Sequence, residues 1–125
     1  MEEEIEKLVE VFLADFDAVR FEGYRRFFIS GPKLILIIPR VGMVCGLDAY
    51  LEYESRSTKL GSRSTSWQQR SVEVFGNVAR VMGLMQMTYS VGEERRELRE
   101  YITFLLERRG EREWKCFHLQ ATLAA

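Results

Sequence analysis

Histidine occurs once in this chain, and cysteine and proline occur twice each. Neither sign of charge is in real excess: 18 Lys and Arg stand against 19 Asp and Glu, for a formal net charge of -1. Each shortage excludes something. Cys45 and Cys116 lie far apart with no CxxC spacing, so neither a zinc site nor a redox pair is indicated. With one His and no acidic cluster in phase with it, no bound metal is expected. The charge balance lacks the basic excess of nucleic-acid binders. The longest apolar run, "LILIIP" at 34–39, falls far below the roughly 20 residues that span a bilayer. The opening "MEEEIEKLVE" is acidic, the wrong charge for a secretory leader. There is no GxxxxGK[ST] loop, no GxGxxG and no HExxH, so no cofactor is expected. Together these features predict a cytoplasmic protein with no nucleic-acid or membrane partner.

What is present is pattern. At 125 residues the chain suits a single domain spanning 1–125, with enough length for its own core. Ile5, Leu8, Val9, Phe12, Phe16 and Val19 recur at spacings of three and four, predicting a helix over 3–20. On that helix Asp15 falls at the edge of the apolar stripe and Asp17 points away from it. A second short helix is predicted over 22–30, with Tyr24, Phe27 and Phe28 inward, stopped by "SGP" at 30–32. "KLILII" and "RVGMVCG" read as a short strand pair, and a third helix begins at Leu47. "SRSTKLGSRSTS" at 55–66 reads as a solvated loop whose cations Arg56, Lys59 and Arg63 could rim a pocket. Four strands follow at 67–76, 77–91, 98–109 and 113–123, rich in β-branched and aromatic residues and joined by turn signals such as "GN" at 76–77. This is an α+β order, with helices packed on one face of an antiparallel meander.

Side chains alternate along a strand, so each strand offers two columns. Ala79, Val81, Gly83, Met85, Met87 and Tyr89 form one. Trp114, Cys116, His118 and Gln120 form another, opposed to Phe117, Leu119, Ala121 and Leu123. The last two strands are largely apolar on both sides. Helices can cover one face; the other is expected to meet a second copy, giving a homodimer through the outer sheet face.

The ending "RRGEREWKCFHLQAT" resembles the basic turn and "W-K-x-x-H-x-H-x-S" strand of the SnoaL-like, ketosteroid-isomerase-like group of the nuclear transport factor 2-like superfamily. Trp114, Lys115 and His118 match it, Gln120 replaces a second His, and Thr122 replaces Ser. "YITFLLERR", "VEVFGNVARV" and "GLDAYLEY" agree in order. The resemblance implies a cone, or cystatin-like roll: a strongly curved sheet wrapped around three N-terminal helices, with a pocket at the open end. Members include cofactor-independent isomerases, dehydratases and polyketide cyclases, as well as binding and association domains, so the fold does not choose the function.

If the pocket follows that pattern, His118 with Asp15 or Tyr24 would be the acid–base candidates. Trp67, Gln69, Met85, Met87, Tyr89, Tyr101, Thr103 and Gln120 would contact a small apolar ligand. A Met column in a strand is more often plain core, because Met fills irregular gaps. Two departures weigh against catalysis. "RFEG" lacks an acid where many relatives have one, although Glu22 is near, and Gln120 cannot act as a base. Three functions remain open: a small-ligand binding protein, an isomerase, dehydratase or cyclase, and a dimeric association module with a filled cone.

Overall fold

The computed structural model describes residues 1–57 and 62–124. Its elements run α1 (Glu2–Ala18), α2 (Phe21–Phe27), β1 (Ile35–Ile38), β2 (Gly42–Cys45), α3 (Leu47–Ser57), β3 (Arg63–Phe75), β4 (Val78–Val91), β5 (Glu94–Arg108) and β6 (Trp114–Leu123). The sheet has six strands in the order β2-β1-β6-β5-β4-β3. It is the α+β cone expected from the sequence: a curved sheet, open at its edges, that carries three helices on its inner face. The short pair β1–β2 does more than stand beside the meander. β1 runs parallel to β6, pairing Ile35 with His118 and Ile37 with Gln120, and so extends the sheet past its C-terminal strand.

α1 forms where the period of three and four predicts it. Ile5, Val9, Phe12 and Leu13 are buried, while Glu2, Glu3 and Glu4 sit at the positive end of the helix dipole. The helix ends as Val19 turns left-handed (φ 55°) and its N–H returns to the carbonyls of Asp15 and Phe16. Asp17 does not idle in solvent. Its Oδ2 accepts from the Thr65 backbone N–H and hydroxyl, both at 3.1 Å, and this ties α1 to β3.

The expected second helix is shorter than 22–30. It stops at Phe27, because Phe28 is extended and bridges to Cys116, and the Ile29 N–H donates to the Cys116 carbonyl at 2.9 Å. The expected loop at 55–66 is likewise narrower. Ser55–Ser57 continue α3 and β3 already begins at Arg63; residues 58–61, Lys59 among them, lie outside the described residues.

Two bulges decide which way side chains face. In β3 the pairing steps from Gln68↔Leu84 to Ser71↔Met82, and Gln69 there takes φ 52°. In β6 it steps from His118↔Leu105 to Cys116↔Leu106, leaving Phe117 as the extra residue. A single inserted residue reverses the in–out phase beyond it. Hence Trp114 and Cys116 point inward on one side of the bulge, and Leu119 and Ala121 on the other. The expected continuous column Trp114–Cys116–His118–Gln120 is therefore corrected: it breaks after Cys116.

The core gathers where α1 and α2 press on the middle of the sheet. Phe12 stacks on Phe27 with ring centres 4.5 Å apart and meets Tyr24, Phe28 and Phe104 edge-on. Trp67 lies over Gly83, where an added Cβ would approach its ring to 2.5 Å, and edges against Phe104 at 5.8 Å. No side chain but hydrogen fits beneath that indole.

Candidate functional site

Toward the far end of the sheet the helices no longer reach its inner face, and a cavity of about 270 Å³ opens. α1 contributes Phe12, Leu13 and Phe16 to its wall, and α3 contributes Tyr50, Tyr53, Glu54 and Ser57. The sheet supplies Ile38 from β1, Arg63 from β3, and Met85, Met87, Tyr89, Ser90 and Val91 from β4. Leu98, Glu100, Ile102 and Phe104 from β5 and Leu119 and Ala121 from β6 complete it. The lining is predominantly apolar, with two charged features.

The first is a buried ion pair. Arg63 grips Glu54 with both terminal nitrogens, Nη2 to Oε1 at 2.6 Å and Nη1 to Oε2 at 3.3 Å. The same guanidinium donates to the Phe16 carbonyl through Nε (2.9 Å) and Nη2 (2.6 Å), and lies 3.5 Å over the Phe16 ring. It thereby adds side-chain donors to a carbonyl near the C-terminal end of α1 that otherwise accepts only from the Val19 N–H at 3.2 Å. The Tyr24 hydroxyl donates to Glu54 Oε1 at 2.5 Å and accepts from Arg63 Nη2 at 2.8 Å. Burial, and then the charge of Glu54, hold the Tyr24 phenol far above its ordinary pKa, so it remains a neutral donor. Burial lowers the Arg63 pKa, but the hydrogen bond to Glu54, the charge of Glu54 and the neighbouring Tyr24 and Tyr50 together outweigh this, and the cation stays charged.

The second is Glu100, on β5 opposite Met85 and Leu123. It is only 8% exposed, and among the described residues nothing hydrogen-bonds its carboxyl. Burial alone raises its pKa above the ordinary carboxylate value. The Tyr53 phenol is raised as well, first by burial, then by the charges of Glu54 and Glu100.

The candidates read from the sequence scatter. Met85, Met87 and Tyr89 line the cavity. Trp67 is on the same inner face but fills the core beside Phe104 rather than the hollow. Tyr101 and Thr103 face outward, contrary to expectation. Residues paired across a ladder share a face, and the register sets Met85 opposite Glu100, not Tyr101. Gln120, opposite Thr103, is outward and exposed, and Gln69 is exposed on its bulge. His118 pairs with the outward Leu105 and Ile35 and is absent from the cavity wall. Asp15 turns to the α1–α2 junction: it pairs with Arg20 Nε at 3.1 Å and packs on Gly23, where an added Cβ would strike its carboxyl at 2.0 Å. Tyr24 is fully buried behind the Glu54–Arg63 pair. The structure does not bring His118, Asp15 and Tyr24 together. Burial pushes the Cys116 thiol up, and Cys45 is exposed on the edge strand; both are free. Of the three cations in the segment 55–66, Arg63 lines the cavity, whereas Arg56 sits in an exposed pair with Glu52.

Glu54 and Glu100 are the site residues that sequence reasoning missed as such. Glu100 stands near the start of the expected strand at 98–109, directly after the polar connection "GEERREL" at 92–98. Its signal was parity, for it falls in step with Ile102, Phe104 and Leu106, the apolar column of the same strand.

No protein-family model matches the sequence, and no curated protein matches it. Solved structures do match in shape. A nuclear transport factor 2-like superfamily protein from Salmonella enterica serovar Typhimurium superposes with a TM-score of 0.91 at 16% identity, covering 99% of this chain and 91% of that one. A dehydratase of the same family, provisionally assigned, from Streptomyces avermitilis gives 0.86 at 15%, covering 99% and 96%. The CaMKII hub of S. rosetta gives 0.85 at 16%, covering 98% and 96%. The chain has the nuclear transport factor 2-like fold.

Proposed function

We propose that the protein binds a small, predominantly apolar organic molecule in the cavity between α1, α3 and the open end of the sheet. The observation that carries this reading is the hollow itself. Inward side chains that would close it, such as Met87 and Leu98, instead form its walls and leave about 270 Å³ unfilled. That is near the lower end of the roughly 300–1,000 Å³ typical of ligand pockets, which suits a small ligand. An association module with a filled cone fits this volume less well. An enzyme that moves protons through His118 finds no support, since that ring lies outside the cavity wall.

A homodimer through the convex sheet face belongs to the same proposal. Met82 and Tyr101 are 42% and 50% exposed there, and half-buried Leu105, Ile35 and Ile37 continue the patch across the ladder. The likeness to a CaMKII hub, and to the association domain of C. elegans CaMKII, supports pairing.

Native mass spectrometry of the purified protein tests both parts. The expected spectrum holds a dimer carrying a small retained ligand, and Leu98→Trp, which fills the hollow, removes the ligand without unfolding the chain. If the folded wild type takes up no apolar compound from a fragment library, the binding reading is wrong.

A further inference from the structure

The charges of the cavity wall do not cancel. Glu54 is neutralised by Arg63, which it grips at 2.6 Å. Glu100 has no such partner, and the cavity wall, among the described residues, contains no cation besides Arg63. Glu100 as a residue is more than nine-tenths buried, and a carboxyl so placed without a hydrogen bond is costly; a native site keeps one when something else completes it. Its surroundings narrow what that can be. The hollow facing it is walled by the rings of Phe12, Phe16 and Tyr53 and by Tyr89. Aromatic faces attract cations, and more strongly where water is excluded. An anion would meet an unpaired carboxylate, and the wall offers it only neutral hydroxyls such as those of Tyr53, Tyr89 and Ser90, with no second cation among the described residues.

We propose that the cavity is a site for a small organic cation, an aryl- or alkylammonium whose charged nitrogen seats against the Glu100 carboxylate while its apolar body fills the aromatic hollow. This rests on the binding reading above and adds the chemical class of the ligand. The ammonium hydrogens replace the water that Glu100 gave up on folding, and the rings stabilise the remaining charge. Glu54 does not compete for the ligand, because Arg63 and Tyr24 already occupy its oxygens.

Three probes of one shape and different charge test the assignment by titration calorimetry: 2-phenylethylammonium, 2-phenylethanol and phenylacetate. The ammonium is expected to bind at least tenfold more tightly than the alcohol, about 1.4 kcal/mol, and phenylacetate to bind too weakly to measure. Glu100→Gln should lower the ammonium affinity about tenfold, to the level of the alcohol. Glu97→Gln, an exposed carboxylate removed from the same strand, should change nothing. The wild-type ranking decides the matter by itself should Glu100→Gln fold poorly. Equal binding of alcohol and ammonium, or a preference that survives in Glu100→Gln, overturns the cation assignment and leaves the pocket standing. Failure of all three probes to bind overturns the pocket reading together with the cation.

Discussion

The inner face of one sheet behaves in two ways along its length. At one end, Ala79, Val81, Phe104, Leu106, Trp114 and Cys116 point inward and are essentially sealed. Against them press Phe12, Phe27 and Phe28, giving a solid aromatic core. At the other end the inward positions are Met87, Tyr89, Leu98 and Glu100, and these border a hollow. The strands are continuous across the two ends, and the pairing of β4 with β5 runs unbroken from Val78 to Val91. What differs is cover. Phe12 of α1, Phe27 of α2 and Phe28 just beyond it cover the first end, whereas the second receives only side chains of α1 and α3 that border the cavity. The Glu54–Arg63 pair braces the junction by joining α3 and β3 to the last turn of α1. Packing stabilises one end, and a polar brace keeps the other from collapsing.

Substitutions sharpen this contrast, beginning with the sealed end. Phe104→Ala removes the ring that meets Phe12, Phe27 and Trp67, and should cost about 3–5 kcal/mol in urea unfolding. At the hollow, Met87→Ala should cost less than half as much, since its neighbours already face empty space; an equal loss would mean that both ends are packed alike. Next comes the brace. Arg63→Ala leaves Glu54 and Tyr24 without their cation and should cost about 3 kcal/mol, as removing one partner of a buried pair does. Replacing both members by apolar side chains of similar size should recover most of that loss. On the convex face, Met82→Glu should weaken the proposed dimer tenfold or more in sedimentation equilibrium, with little change in monomer stability.

The smallest effect is a pH slope. Burial raises the folded-state pKa of Glu100, so the folded protein binds this proton more tightly than the unfolded chain. That contribution to stability is fully present below the unfolded carboxyl pKa and is lost as pH rises through the folded value. Glu100→Gln should therefore be the more stable protein at neutral pH, with the difference shrinking in acid. A wild type that gains on the variant as pH rises would place a cation beside Glu100.

Much of the architecture was legible from residue order. The stripe Ile5–Val9–Phe12 needs only a period of about 3.6 to predict a helix with that face inward. Alternation and turn residues located four long strands, although β3 begins four residues earlier than Trp67, where polar Arg63 and Ser64 concealed it. The site was less legible. Met85, Met87 and Tyr89 share an unbroken column and all border the cavity, whereas Tyr101 and His118 face outward, opposite to the expectation.

Periodicity is a local property, and it determined which residues of a strand share a face, where helices run and that the order is α+β. It does not say which face is the inner one. That is decided by register between strands and by single-residue bulges, as at Phe117, and these depend on how the whole sheet closes over its helices. For the same reason only the tertiary structure turned Glu100 from a member of a charged run into a lone carboxyl on a cavity wall. Its environment is made by residues far away in the chain, from Phe12 on α1 to Tyr53 on α3 and Ala121 on β6.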